Sequence, residues 1–189
     1  VVVSEFLGKL VTNASGSVLG LVVATAEPTG GVDINGNYIG DPPTLVISYR
    51  SGNHFTDNDV VYDTTSNLAA QAITLNSTGD SAVASIDVGV FYVLGNFVQI
   101  PEKQTTIISK YNNNPNCRVG LTITETITDY IDDPSLLDPA LGSSNYQAPG
   151  ADRYSIYLSL STRTLQLGDD SDFIELVRFQ DGQMYKVTD

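Results

Sequence analysis

Apolar and hydroxyl-bearing side chains alternate along two runs in the second half of the chain. In one, Leu121, Ile123, Glu125 and Ile127 interleave with Thr122, Thr124, Thr126 and Thr128; in the other, Ile156, Leu158 and Leu160 interleave with Tyr157, Ser159 and Ser161. Successive side chains of a strand point to opposite faces, so each run predicts a strand with one apolar face and one hydroxyl-rich face. The connection between them exceeds twenty residues and has no helical period. Loops of that length are uncommon in compact domains and usually have a role of their own.

Three dipeptides punctuate other extended runs: Asn35-Gly36, Gly95-Asn96 and Asp181-Gly182. Asn-Gly and Asp-Gly tolerate the positive φ angles of a type I′ turn and Gly-Asn suits type II′, so each predicts a tight antiparallel hairpin. Before the central one, Ile86, Val88, Val90 and Tyr92 alternate as one face. Val1–Phe6, Val18–Ala24, Thr44–Arg50, Thr105–Ser109 and Phe173–Phe179 also read as extended. Only Asn67–Ala72 offers a helical turn or two. The prolines fall in connections, where a missing N–H harms a sheet least. The expected fold is all-β, with antiparallel sandwiches, tight hairpins, one long ordered loop and very little helix. The segment from Ser66 to Asp80, rich in small and polar residues, predicts a boundary between an N-terminal β domain (1–80) and a C-terminal β-sandwich unit (81–189).

Composition supports that picture. Charged residues are 16% of the 189, and Trp is absent while ten Tyr and six Phe supply aromatic bulk. Abundant Thr, Ser, Val and Ile suit strands and turns. A formal net charge of −13 repels phosphate backbones and anionic headgroups, so neither nucleic acid nor membrane is an expected partner. The lone Cys117 excludes an internal disulfide and a Cys-ligated metal site. The opening Val-Val-Val without Met, and the strand-like close, read as an internal piece of a longer polypeptide.

Residues for catalysis are sparse. Ser51, His54 and Asp57 stand close in sequence, but triads are assembled across a fold, and His54 reads as a solvated loop residue. No nucleophile-elbow pattern occurs. Asp129, Asp132, Asp133 and Asp138 form an oxygen-rich stretch, yet without EF-hand spacing. Asp133-Pro134-Ser135-Leu136-Leu137-Asp138-Pro139 reads better as a capped turn presenting Leu136 and Leu137 to an apolar neighbour. Gly168–Asp172 reads as a hydrated turn. Tyr38, Tyr49, Tyr62, Tyr111, Tyr130 and Tyr146 suit a sugar platform or, more commonly, packing and protein contact. In Asn145–Arg153, Pro149-Gly150 predicts a type II-like turn and Arg153 a return strand pinned by flanking acids. The expected contact residues are Asp132, Asp133, Leu136, Leu137, Tyr146 and Pro149 of the Asp129–Ala151 loop and Arg153 just after it, and the Phe173–Phe179 strand is a second candidate for contact. No catalytic, cofactor-binding or metal-binding residue is expected.

The blocks SKYNNNPNCRVGLTITETI, DDPSLLDPALGSSNYQAPGADRYSIYLSLSTRTL and DFIELVRFQDGQ resemble a domain of unknown function in virion structural proteins of tailed bacteriophages. The likeness covers roughly Val83 to Gln183. It is nearest to large tail or baseplate proteins of myovirus type, including those of phages infecting cyanobacteria. Asn116 and Cys117 depart from it, at positions that bear on packing. The resemblance implies a non-enzymatic part of a baseplate or tail-fibre network, located in the virion and made in the host cytoplasm. Its partners would be other tail or baseplate proteins and copies of itself, met by surface complementarity and strand addition. The alternative is a carbohydrate-binding adhesion module of a tail fibre, assisted by calcium. A polysaccharide-degrading enzyme would need two carboxylates about 5 to 10 Å apart in a cleft.

Overall fold

The computed structural model describes residues 2–34, 38–166, 168 and 170–187, with Lys186 and Val187 described by their backbone only. Asn35-Gly36 lies outside the described residues; the flanking Val32 and Tyr38 form an isolated antiparallel bridge. The architecture is antiparallel, sandwich-like β structure with two short 3₁₀ turns. The chain divides into two compact units. One holds Val1–Ala84, Thr105–Pro115 and Gln180–Gln183; the other holds Ser85–Gln104, Asn116–Phe179 and Met184–Asp189.

The first unit is built on a five-stranded antiparallel sheet. Its strands are β1 (Leu10–Thr12), β2 (Leu19–Ala26), β3 (Thr44–Tyr49), β4 (Val60–Asp63) and β5 (Ala69–Gln71), in the order β3-β2-β1-β4-β5. Val22 and Ala24 of β2 face inward with Val18 and Gly20, as strand alternation requires, and a bulge follows Val22. The core gathers Phe6, Val11, Val18, Val22, Phe55 and Val61. Two expectations change here. Val3–Phe6 is a 3₁₀ turn rather than a strand, because that spacing brings Val3 and Phe6 to one side and buries both. Asn67–Ala72 carries β5 in place of a helical turn, since pairing of Ala70 with Val61 overrides local preference.

β6 (Ala82–Ile86) pairs with β9 (Gln104–Ser109). β7 (Gly89–Val93) and β8 (Asn96–Ile100) form the central hairpin, whose turn lies one residue earlier than expected. Its central residues are Leu94 (φ 50°) and Gly95 (φ 80°), the double positive of a type I′ turn rather than a type II′ turn at Gly95-Asn96. The expected face of Ile86, Val88, Val90 and Tyr92 is broken at Asp87-Val88, which shifts the alternation by one residue. Val93 turns inward with Phe91 half-buried, while Val90 and Tyr92 face solvent.

The second unit rests on a four-stranded sheet. Its strands are β10 (Cys117–Thr128), β11 (Arg153–Arg163), β12 (Phe173–Gln180) and β13 (Gln183–Val187), ordered β11-β10-β12-β13. β10 and β11 pair from Arg118↔Arg163 to Thr128↔Arg153, setting Leu121 opposite Leu160 and Ile123 opposite Leu158. On the hydroxyl face Thr122 and Ser161 share a 2.6 Å hydrogen bond. The apolar face meets the β7–β8 hairpin in a core of Val93, Val98, Ile100, Leu121 and Leu158. The β12–β13 turn has Asp181 and Gly182 at φ 49° and 74°, the expected type I′ geometry.

In the Gly168–Asp172 stretch, Asp170 and Asp172 are clamped rather than freely hydrated. Arg118, only 2% exposed, donates to the Thr164 carbonyl (2.8 Å), the Gln166 carbonyl (3.2 Å) and the Asp170 carboxylate (2.7 and 3.3 Å). Arg163 donates to Asp170 (3.0 Å) and to both carboxylate oxygens of Asp172 (2.8 Å). Both guanidinium groups lie over the Phe173 ring. Hydrogen bonds from Arg118 and then Arg163 hold the Asp170 carboxyl below its usual pKa range.

Candidate functional site

Chain segment 129–152, between β10 and β11, is an ordered loop held by its own backbone. Asp129 Oδ1 accepts from the Ile131 and Asp132 amides (2.7 and 3.2 Å), turning the chain at its start. Asp133 then caps a 3₁₀ turn, Pro134–Leu136, by accepting from the Ser135 amide at 3.0 Å. This is the capped turn expected from the sequence. Further on, the Asp138 amide donates to the Ala148 carbonyl and the Gln147 amide donates to the Asp138 carbonyl, both at 3.0 Å. Leu137 bridges Pro149 in antiparallel fashion. The loop therefore folds back as a small ladder.

Arg153 donates to Asp133 at 3.0 Å, joining the first residue of β11 to the capped turn. The Ser135 hydroxyl and amide, followed by Arg153, hold the Asp133 carboxyl below its usual range. Pro149-Gly150 is not the expected turn. The left-handed residues of the segment are Gly142 and Gln147, and Pro149 sits in the bridge to Leu137. Gly150 matters for close approach instead, since a Cβ there would stand 2.1 Å from the Leu136 carbonyl oxygen. Replacing Gly150 with Ala should separate the two limbs and speed limited proteolysis within 129–152, with thermal unfolding of the rest little altered. Unchanged cleavage kinetics would show that the two limbs do not depend on this contact.

The structure thus brings Asp133 to Arg153 and Leu137 to Pro149, and sets Leu136 against Gly150. Asp132 and Tyr146 are exposed on the same loop, whereas Leu136 and Leu137 are half-buried within it. The apolar groups it presents most openly are Ile131 and Leu141, which the sequence reading did not single out.

A second surface in the same unit also escaped that reading. Val88, Val90, Tyr92, Leu94 and Phe97 are each more than half exposed, Phe97 to 80%. Tyr92 and Phe97 face each other across the β7–β8 ladder with ring centroids 5.3 Å apart. No charged residue occurs from Val88 to Pro101. Beside Phe97 lies a shallow hollow of about 350 Å³ whose wall includes Pro101, Tyr154, Ile156 and Tyr157. The Tyr154 hydroxyl donates to Glu125, which raises the Tyr154 pKa and fixes its ring.

No triad is assembled from Ser51, His54 and Asp57. The Ser51 hydroxyl accepts from the Leu19 amide, Asp57 accepts from the Asn76 and Ser77 amides, and the exposed His54 stacks edge-on against Tyr49. Among the described residues, no cluster of three His, Cys, Asp or Glu side chains is placed to hold a metal.

A family model described as a domain of unknown function, DUF4815, matches residues 46–189. The chain belongs to the DUF4815 family. The DUF4815 match begins inside β3 and runs through the last strand, so it includes the long loop, the β7–β8 hairpin, β4 and β5, but not β1 or β2. No curated protein and no solved structure matches the chain.

Proposed function

We propose that this DUF4815 chain is a structural component of a phage virion, in the baseplate or tail-fibre network, working through contacts with other tail proteins. The observation that carries the reading is the uncharged apolar face of the β7–β8 hairpin. Contiguous exposed apolar groups on an otherwise polar surface mark protein contact sites. The face sits on a chain of net charge −13, so it lacks the like-charge repulsion found elsewhere on the surface. Leu94 adds to this. It occupies a left-handed position at the hairpin tip, where Asn or Gly would fit without strain, yet presents an apolar side chain to solvent. The ordered loop 129–152, stiffened by Asp133 and Arg153, supplies a second contact element that loses little entropy on docking. The resemblance of the chain's last hundred residues to virion proteins supplies the assembly in which such contacts would be made.

Phe97→Asp tests the reading. Phe97 is exposed, so the fold should stay intact, while an interface that buries Phe97 would lose about 2 kcal/mol of apolar transfer and take in an unpaired charge. Incorporation into gradient-purified particles, read by quantitative mass spectrometry, should fall at least about tenfold. Wild-type chain found in infected cells but absent from purified particles would end the proposal.

A further inference from the structure

The first unit contains a cleft of about 780 Å³, inside the range of roughly 300 to 1,000 Å³ in which small-molecule sites fall. Its floor includes the half-buried Leu45 and Ile47 of β3, which pack on the core from one side and face the cleft on the other. Its walls carry Tyr38, Tyr49, Tyr111 and His54. Three tyrosines far apart in sequence thus meet around one hollow. Tyr49 is fixed there, because its hydroxyl accepts from the Phe55 amide at 3.3 Å and its ring meets His54 with centroids 4.4 Å apart. Tyr111 is 64% exposed, and a hydrogen bond between its hydroxyl and Asp41 holds it at the cleft. Between these rings stand neutral hydrogen-bonding side chains, Gln71, Asn76 and Thr78, all exposed.

The charges narrow the ligand class. Lys110 lines the cleft but lies 3.5 Å from Asp41, and Asp80 adds a carboxylate to the rim. With its one lining cation paired, the cleft offers an anion nothing to offset the chain's net charge of −13. A purely apolar ligand would leave the amides and hydroxyls of the wall without partners. An uncharged sugar satisfies both conditions. A pyranose presents a C–H face to an aromatic ring and a girdle of hydroxyls to amides and carboxylates, the two chemistries that tyrosine-lined walls combine.

We propose that this cleft binds an uncharged saccharide, with Tyr111 stacking on a sugar face and Gln71 bonding its hydroxyls. This goes beyond the assembly role and does not depend on it, because the cleft and the β7–β8 face use different residues.

The test is binding of the full 189-residue chain to a printed array of neutral, uronic-acid and phosphorylated oligosaccharides. The strongest neutral hit is then titrated calorimetrically against wild type, Tyr111→Ala, Gln71→Ala and Tyr130→Ala. Neutral glycans should be retained in preference to acidic ones. Tyr111→Ala should weaken binding at least about tenfold and Gln71→Ala about threefold or more, with circular dichroism unchanged. Tyr130→Ala, on the β10–β11 loop, should bind as wild type does. No retained neutral glycan, a preference for acidic glycans, or wild-type affinity in both Tyr111→Ala and Gln71→Ala would each overturn the proposal.

Discussion

Arg118→Met should lower the stability of the chain by about 3 kcal/mol, a drop in melting midpoint of roughly 6 to 12 °C for a chain of this size. Methionine keeps much of the aliphatic bulk of arginine and removes its donors. The Thr164 and Gln166 carbonyls then lose their Arg118 donor, and the Asp170 carboxylate keeps its bond from Arg163. That surviving partner, and the partial exposure of Asp170, place the expected loss at the lower end of the range for a broken buried ion pair. The pH dependence carries the same signature. Asp170 has its folded pKa depressed, so its contribution is present above the ordinary carboxylate pKa and disappears as pH falls through the depressed value. Wild type and Arg118→Met should therefore differ most near neutrality and converge in acid, as followed by thermal melts across that range. Equal melting midpoints at neutral pH would show that the clamp adds nothing to stability.

This clamp also shows where sequence reasoning reached its limit. The strands β10 and β11 were legible because alternation is a local property, and their pairing followed from two matched runs around one loop. Turn chemistry located the Asp181-Gly182 hairpin for the same reason. Arg118 gave no such signal, since its partners lie on a segment about fifty residues away and are chosen by the fold. The β7–β8 face was misread through a single residue. A turn at Leu94-Gly95 rather than Gly95-Asn96, with the break at Asp87-Val88, exchanges inside for outside along the whole hairpin. The contact loop was half legible: its capped turn and the Arg153 pin were expected, but the burial of Leu136 and Leu137 depended on a fold-back made by Gln147 and Asp138. Tyr38, Tyr49 and Tyr111 are among six tyrosines that suit a platform or contact, but that these three line one cleft was not legible, because their spacing follows no period.

Gly120→Ala should be the most damaging conservative change in the second unit. Gly120 is the fourth residue of β10, where the ladder with β12 slips between Val119 and Gly120 and leaves Leu176 without a ladder partner. A Cβ at this position would stand 2.1 Å from the Ile174 carbonyl oxygen and 2.6 Å from Cζ of Phe173. The first obstacle is backbone, so no side-chain rotation relieves it. The second is the ring that carries the Arg118 and Arg163 guanidinium groups, so displacing it disturbs the clamp as well. β12 must move away from β10, which weakens the ladder and opens the core around Leu121, and the expected cost is about 3 kcal/mol, the upper part of the usual overpacking range. Amide exchange along β12 should accelerate with it. Gly79→Ala is the matched control: nothing lies within 4 Å of the added methyl group and the φ angle is outside the left-handed region, so stability should stay within about 0.5 kcal/mol of wild type. A Gly120→Ala chain that melts with the control would mean that β10 and β12 do not approach as closely as this bulge requires.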